Sequence, residues 1–460
     1  MSIDKKYTLF LLVFGIFFSI IFIHSIQLKH IDNDTFWHIK TGEFIFSSKQ
    51  VPTRDIFSWY GIENNLRWIN HEWLSDLLIY SIYRVGGVQA VVGSASLLAG
   101  FLFFLIYRFT LLRCRNNVLS LVIAFIGICG LAAYICPRPQ VLSYCLLIIL
   151  AIVLEKKKWF WAIPVVVIGT NLHGGFYPMY ILVTIYYAWK EKPLLIPLSL
   201  LAAMINPYGW EMVTYPFLVQ KNIDFNKYIS EWNPTQLGLD SIYYLFCYII
   251  LLISVFNKRL RIEDAALSLL LVVQSFMASR HVVFIFILVF PILSPYISER
   301  FSQAKLKTDN RLFKNAIFVT AIVLYFFLLY LCLAGLKEKG LQIKYDDYPE
   351  KAIAFIKENN MERIGNMYNE GGFLIFNGIN TFIDGRADIF SPVYNKTNLF
   401  VDYCQFYSLE ADYMDFINEH KLKNLLINKK TSIFMVLKNN EHFKPVYEDE
   451  QFVIFNYSSD

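Results

Sequence analysis

Two aspartates and a histidine follow the first apolar segment of the chain. The run at 32–38 reads DNDTFWH, so His38 lies about one helical turn beyond Asp34. A carboxylate here can act as general base toward an acceptor hydroxyl, or hold a divalent cation such as Mg²⁺ or Mn²⁺ against a phosphate. Alternatively, Asp34 simply caps the helix that follows. We take Asp34 and Asp32 as candidate catalytic residues, Asp34 as a candidate metal ligand and His38 as a candidate substrate contact.

A second polar and aromatic group follows in the same loop. The segments 52–59, PTRDIFSW, and 68–74, WINHEWL, each combine an acid with tryptophan. Asp55 is the third candidate catalytic residue. Tryptophan at this depth often serves only as an anchor at the membrane interface. The candidate substrate-binding residues of this group are Arg54, Trp59, His71 and Glu72.

Three short turns between apolar segments carry ionisable residues at membrane level. They contain Arg138, His173 and Arg280, and Arg138 lies between two prolines. Such groups are costly in a membrane and by default face a cavity or a partner, and a guanidinium suits phosphate oxygens. The alternative is that the long side chains extend to the interface. We expect these three residues to bind a phosphate or pyrophosphate headgroup, with Glu231 either a further acid near the site or a surface acid.

The composition shows what must position these residues. Of 460 residues, 56% are hydrophobic and only 17% are charged, which predicts an α-helical polytopic membrane protein. Apolar runs long enough to cross a hydrocarbon core of ~30 Å number about eleven. They lie near 7–26, 87–107, 118–136, 139–154, 159–172, 175–189, 193–206, 240–256, 262–279, 281–297 and 315–336. The first of them is expected to be a retained signal anchor.

The loop charges predict the orientation of the chain. Basic residues gather in every second loop, and such loops lie on the cytoplasmic side. This puts the N-terminus in the cytoplasm, and the candidate site residues and the C-terminal region outside it. The basic loops carry Lys5 and Lys6, then Arg108, Arg113 and Arg115, then Lys156 to Lys158, then Lys190 and Lys192, then Lys258, Arg259 and Arg261, and then the cluster at 300–314.

Two domains are expected. Residues 1–338 form the transmembrane domain, with a structured first outer loop at 28–84 that holds helices near 34–46 and 70–83. Residues 339–460 form a small α/β domain outside the cytoplasm, with a helix at 348–359 and strands at 363–367, 381–383, 424–427 and 452–457.

Several classes of protein lose support. The net charge of +5 is spread along the chain without a basic stripe, so nucleic acid is not an expected partner. The seven cysteines form no C-x-x-C pair and argue against a disulfide framework or a zinc knuckle. Signatures of P-loop nucleotide hydrolysis, serine hydrolysis and zinc proteolysis are missing from the sequence.

The layout resembles the GT-C superfamily of membrane glycosyltransferases. The likeness rests on an acidic motif after the first span, a long first outer loop with a helix, many spans and an outer C-terminal domain. Within the superfamily, the chain resembles a group of bacterial polytopic proteins through DTFWHIKTG at 34–42, PTRDIFS at 52–58, EWL at 72–74, NLHG at 171–174, NPYG at 206–209 and the segment 369–388.

The resemblance implies transfer of a sugar from a polyprenyl-phosphate-linked donor to an acceptor on the outer face of a bacterial plasma membrane, within cell-envelope polysaccharide synthesis. It implies an inverting enzyme with Asp34 as base or metal ligand. The chain has Asp32-Asn33-Asp34 where protein O-mannosyltransferases carry an Asp-Glu pair, and it lacks the Trp-Trp-Asp motif of oligosaccharyltransferases. A glycan or membrane-lipid acceptor is therefore expected at least as much as a protein.

Two other functions stay open from the sequence. A transporter or flippase of a lipid-linked saccharide needs ionisable residues at mid-span, whereas the polar residues here gather near one edge. A non-catalytic assembly protein of envelope polysaccharide synthesis needs only a partner surface on its C-terminal domain.

Overall fold

The structure is a computed structural model that describes residues 5–28, 31–221, 223–235, 244, 247–249, 251–252, 257, 259–303, 345 and 347–458. Its contacts divide the chain into two compact units. The first unit draws on Met1–His30, Gly86–Ile205 and Ile229–Gln342, and the second on Ile31–Val85, Asn206–Tyr228 and Ile343–Asp460, as far as these ranges are described. The second unit therefore combines the first loop with the C-terminal segment.

Helices dominate both units. In chain order they are α1 (Lys5–Gln27), α2 (Asp34–Ser48), α3 (Trp59–Glu63), α4 (Trp73–Cys114), α5 (Asn117–Leu131), α6 (Gln140–Glu155), α7 (Ala162–Leu172), α8 (Tyr177–Ala188), α9 (Leu195–Ala203), α10 (Trp210–Lys221), α11 (Ile223–Tyr228), α12 (Ile262–Met277), α13 (Phe290–Gln303), α14 (Glu350–Glu358), α15 (Gly371–Phe376), α16 (Leu399–Ser408), α17 (Tyr413–Glu419) and α18 (Ser432–Lys438). The strands are β1 (Ile364–Asn366), β2 (Asn424–Asn428), β3 (Phe443–Glu448) and β4 (Phe452–Tyr457).

The first unit is a bundle of apolar helices. Aromatic side chains fill its interior, as where Phe18 of α1 stacks on Phe125 of α5 at 4.8 Å. Small residues admit these rings. A Cβ on Gly130 of α5 would lie 2.3 Å from the ring of Phe286, so the absence of a side chain lets that ring reach the helix.

The described residues contain four helices that are long and apolar enough to cross a membrane, not the eleven spans expected. They are Thr8–Gln27, Trp73–Cys114, Asn117–Tyr134 and Ser279–Glu299. The expected spans between 139 and 206 are helices of only 16, 11, 12 and 9 residues, against ~20 for a crossing. Prolines and glycines at their ends break the apolar runs. The expected spans at 240–256 and 315–336 lie largely or wholly outside the described residues.

The helix α4 changes unit partway along. Gly86 and Gly87 break its helical geometry, Gly87 with φ of +65°, a conformation that glycine adopts without steric cost. The part before the break belongs to the second unit and the part after it to the first.

The second unit contains a four-stranded sheet of order β1-β2-β4-β3. Its strand β1 runs parallel to β2, with Gly365 opposite Leu425, and the other pairs are antiparallel. Apolar side chains of β2 and β4, among them Leu426 and Ile454, are buried. The expected helix and three of the four expected strands are confirmed.

Two details of this sheet differ from the expectation. Residues 381–383 form no strand and only one bridge, Ser58 to Thr381. The strand β3 was not expected, because it is an edge strand that is mostly exposed and contains Pro445, so its sequence lacks the alternation of a half-buried strand.

Phe36 of α2 ties the first loop to the C-terminal segment within the second unit. Its fully buried ring lies 5.0 Å from Phe373 of α15 and 5.3 Å from Tyr348. The Tyr348 hydroxyl donates to the carbonyl of Ile31 at 2.7 Å. These contacts fix the start of α2, where Asp34 lies.

Phe36→Ala is expected to destabilise the protein by about 3–5 kcal/mol, because the deletion leaves a cavity among packed aromatic rings. A lower midpoint of thermal unfolding of the detergent-purified protein would show it. The control is Phe160→Ala, since Phe160 is 81% exposed. Equal midpoints for the two variants would contradict the packing role of Phe36.

Candidate functional site

Asp34 is the first residue of α2, and it is not the residue that caps the helix. Asn33 occupies the cap position without a side-chain cap hydrogen bond. Asp32 Oδ1 instead accepts the backbone N–H of Asp34 at 2.9 Å. The helix-capping alternative considered for Asp34 therefore applies to Asp32 instead. The Asp34 carboxylate lies at the positive end of a helix dipole, where a negative charge is stabilised.

Glycines of the C-terminal segment pass close to this carboxylate. A Cβ on Gly385 would lie 2.0 Å from Asp34 Oδ1 and 3.3 Å from Trp37 Nε1. A Cβ on Gly372 would lie 2.2 Å from the carbonyl oxygen of Asn33. Backbone therefore approaches Asp34 at a distance that no other residue type permits.

Trp37 supplies a polar group beside Asp34. The side chain is 95% buried, at 5% relative exposure, and its Nε1 has no hydrogen-bond partner among the residues that the structure describes. Buried N–H groups are nearly always paired, so such a donor in a native structure requires an explanation. Less than 1 Å² of the Nε1 atom is accessible, so no bound molecule reaches it in this conformation.

His38 lies in a buried acid network rather than at a surface. Its Nδ1 is 2.6 Å from Asp76 Oδ1, and its Nε2 is 4.0 Å from Glu72 Oε2. Asn70 Nδ2 donates to the second oxygen of Asp76 at 2.8 Å. All four residues are at most 5% exposed. The network fixes the ring of His38, which directly follows Trp37 and contacts it at a centroid distance of 3.7 Å.

Sequence reasoning missed Asp76. It lies on α4 four residues after Glu72, on the same face of the helix, and a charged residue in an otherwise apolar helix marks a functional or paired group. The four-residue spacing between Glu72 and Asp76 could have identified Asp76 from the sequence.

A second set of side chains surrounds His71. Its ring stacks on Tyr215 at 4.4 Å, and its Nε2 lies 3.6 Å from Glu72 Oε2. The hydroxyls of Tyr215 and Tyr394 both donate to Asp388. Burial raises the pKa of both tyrosines and the Asp388 carboxylate raises it further, so they remain protonated donors. Tyr215 carries no local sequence signal, because it lies 173 residues from Asp388 in the chain.

Asp55 takes part in a buried ion pair. Arg386 donates from Nε and Nη2 to the two oxygens of Asp384, both at 2.7 Å, and its Nη1 lies 2.9 Å from Asp55 Oδ1. The guanidinium also lies near the rings of Phe57 and Trp68, at 5.2 and 4.6 Å. Burial lowers the pKa of Arg386, but the two carboxylates raise it more, so the net shift is upward.

Trp59 and Arg54 have local partners. Trp59 is buried, donates from Nε1 to the carbonyl of Ile364 at 3.1 Å and stacks on Phe382 at 5.1 Å. The guanidinium of Arg363 lies over the same indole at 4.3 Å. Arg54 is exposed and donates to the carbonyl of Asn65 at 3.0 Å. Trp59 thus packs inside the second unit.

Three further predicted residues meet in the first unit. Arg280 Nη1 lies 3.3 Å from Glu231 Oε1, and Arg138 Nη1 lies 4.0 Å from Glu231 Oε2. Arg280 also stacks over Trp232 at 4.5 Å. All three ionic side chains are 20–42% exposed. Two guanidinium groups thus lie beside one carboxylate. Guanidinium groups suit the oxygens of an anion such as phosphate.

His173 belongs to the same unit but is deeply buried. Its Nδ1 lies 3.4 Å from Ser143 Oγ, and its ring stacks on Phe176 at 5.7 Å. It caps the end of α7, where its backbone leaves helical geometry.

Among the described side chains of the second unit, His71 and Glu72 fit a divalent cation best. Their nearest nitrogen and oxygen atoms are 3.6 Å apart, close to the separation of neighbouring ligands on one ion. Imidazole with carboxylate suits Mn²⁺ or Zn²⁺ better than Mg²⁺, which prefers oxygen ligands. Asp34 as a ligand stays a prediction.

Comparison with known structures identifies the fold. Two crystal structures of the Archaeoglobus fulgidus oligosaccharyltransferase are similar to this chain. The apo form matches with a TM-score of 0.57 and 10% identity, over 92% of this chain and 70% of that one. The form tethered by a disulfide to an acceptor peptide containing the NVT sequon matches with a TM-score of 0.56 and 11% identity, over 92% and 69%.

The chain therefore has a fold similar to that of the archaeal oligosaccharyltransferase. At this low identity the likeness shows the fold alone. Comparison with protein-family models and with curated proteins finds no match.

Arg386→Met is expected to lower the free energy of unfolding by about 3–5 kcal/mol, because it leaves two buried carboxylates without a cation. Arg386→Lys should recover only part of this, since an ammonium cannot donate in the forked geometry. Thermal unfolding of the purified protein measures both. Adding Asp55→Asn and Asp384→Asn to Arg386→Met should restore stability, whereas a triple variant as unstable as the single one would contradict the ion-pair explanation.

Glu370 precedes Gly371, and burial raises its pKa to about 7, against opposing hydrogen bonds from its own backbone and from Asn428. The folded state thus binds this proton more tightly than the unfolded state, where the value is 4.5. The contribution to stability is full below pH 4.5 and is lost as the pH rises through about 7. In the Glu370→Gln variant, the midpoint of thermal unfolding should depend less on pH across this window. The same pH dependence as in wild type would contradict the assignment of this titration to Glu370.

Proposed function

We propose that this protein is a membrane glycosyltransferase of the GT-C type, which moves a sugar or glycan from a polyprenyl-phosphate-linked donor to an acceptor on the outer face of a bacterial plasma membrane. The observation that carries the proposal is Asp34. Its carboxylate lies at the N-terminus of α2, against Gly385 and near the indole of Trp37. The shared fold supports the same class of enzyme.

In the proposed reaction Asp34 acts on the acceptor. The acceptor hydroxyl oxygen attacks the anomeric carbon of the donor sugar, and its proton passes to the Asp34 carboxylate. The bond from the anomeric carbon to the phosphate oxygen breaks, and its electron pair leaves with the polyprenyl phosphate. Attack from the face opposite the leaving group inverts the anomeric configuration. General base assistance of this kind contributes roughly 10²–10⁴-fold to the rate.

We assign a supporting role to the residues around Asp34. The Trp37 ring packs beside Asp34 and Gly385, and the buried His38–Asp76 pair holds the adjoining turn of α2 in place. Asp55 is not the base in this proposal, because its carboxylate neutralises Arg386 and accepts the backbone N–H of Phe57 at 3.0 Å.

The cluster of Arg138, Arg280 and Glu231 is our candidate for the donor phosphate. Two guanidinium groups present forked donors, and Glu231 holds them ready in the absence of the phosphate. Because these side chains remain partly exposed, an anion can replace the carboxylate without a new buried charge.

A divalent cation fits the proposal with Glu72, His71 or Asp34 as ligands. When bound, it would neutralise charge on the leaving phosphate. The acceptor is a glycan, a lipid or a protein. In one structure of the archaeal oligosaccharyltransferase, an acceptor peptide is tethered to that enzyme.

Asp34→Asn is expected to lower glycosyl transfer at least ~100-fold, because the amide cannot accept the acceptor proton. The measurement is the glycan output of the native host, with the amount and thermal midpoint of the variant protein compared with wild type. Asp415→Asn, at an exposed position of α17, serves as the control. Unchanged output from a folded Asp34→Asn protein would refute the mechanism. If the purified protein transported a labelled lipid-linked sugar without transferring it to an acceptor, a flippase function would replace the glycosyltransferase proposal.

A further inference from the structure

A groove in the first unit combines an apolar wall with a cluster of cations. It has a volume of about 470 Å³ and lies between the end of α4 and the end of α6. Its apolar wall includes Leu105, Ile149 and Val153, and three basic residues line one end: Arg108, Arg115 and Lys156. None of these residues takes part in the proposed reaction.

The three cations differ from the other basic residues nearby. Arg113, near the end of α4, is paired with Glu155 at 2.9 Å and with Asp264 at 3.1 Å. Lys157 is paired with Glu191 at 2.8 Å. Within the described part of the chain, no carboxylate lies within ion-pair distance of the three groove cations, so among these residues the groove lining carries only positive charge.

We propose that this groove binds an anionic phospholipid of the bilayer. The phosphate headgroup lies among the three cations, and an acyl chain lies along the apolar wall. Charge complementarity argues for this occupant, because three unpaired cations at the end of an apolar groove match a headgroup that joins a negative phosphate to hydrocarbon. Basic pockets between membrane helices, at the ends where basic loops gather, recognise anionic lipid headgroups in this way.

The geometry of the groove favours a lipid over a free phosphate. Arg108 and Lys156 are exposed at the end of the groove, while Ile149 and Val153 are only partly covered by protein. A free phosphate would use the cations and leave the apolar wall in contact with bilayer lipid. A phospholipid covers both parts at once, and the volume falls within the range of ordinary ligand sites. This inference does not rest on the proposed function.

The test is native mass spectrometry of the full-length protein in detergent, titrated with phosphatidylglycerol or with phosphatidylcholine. Wild type should retain phosphatidylglycerol in preference, and a triple variant, Arg108→Gln, Arg115→Gln and Lys156→Gln, should bind it about 100-fold more weakly. Each phosphate contact of this type contributes on the order of 1 kcal/mol.

A control variant removes the same charge from paired cations. It combines Lys157→Gln, Lys190→Gln and Arg259→Gln, whose partners are Glu191, Glu263 and Glu299. It should bind phosphatidylglycerol as wild type does. Equal loss in both triple variants would show a general effect of surface charge and would overturn the site.

Two further measurements separate the groove from the cations alone. Val153→Trp keeps every charge but fills the apolar wall, and it should also lose the lipid. Excess inorganic phosphate should not displace bound phosphatidylglycerol. Full binding by the Val153→Trp protein, or displacement by phosphate, would overturn the proposal that a phospholipid occupies the groove. Circular dichroism of each variant confirms that it is folded.

Discussion

The second unit depends on one buried cation. Arg386 joins Asp384, in its own segment, to Asp55 of the first loop, and two aromatic rings lie near its guanidinium. A buried guanidinium is stable only beside carboxylates, so Asp55 and Asp384 must stay close to it. The turn that carries Arg386 also carries Gly385, and through it the position of the backbone beside Asp34 is set. The candidate site is therefore held by an ion pair that takes no part in its chemistry.

Much of the second unit could be predicted from sequence because its signals are local. The helix α2 follows from its position after an Asx turn, and β1, β2 and β4 from short apolar runs between polar ones. The span count could not be predicted from apolar runs. Hydropathy does not tell a helix that crosses a membrane from a shorter apolar helix with many buried residues, as α7 shows.

The candidate site was predicted in part, for reasons that differ by residue. Arg138, Arg280 and Glu231 come together because ionisable groups near membrane level seek one another. Asp55 and Trp59 carry the same sequence signals but serve the packing of the second unit, since their partners, Arg386 and Phe382, lie more than 300 residues away in the chain. Asp388 and Tyr215 gave no signal, because only the fold brings them together.

The contact between Gly385 and Asp34 has a consequence for the order of events during biosynthesis. The two residues are separated by most of the chain, so the pocket around Asp34 cannot close until the ribosome has made the C-terminal segment. Contacts of such long range also form late in folding. The surroundings of Asp34 are thereby completed only after the apolar helices have been synthesised.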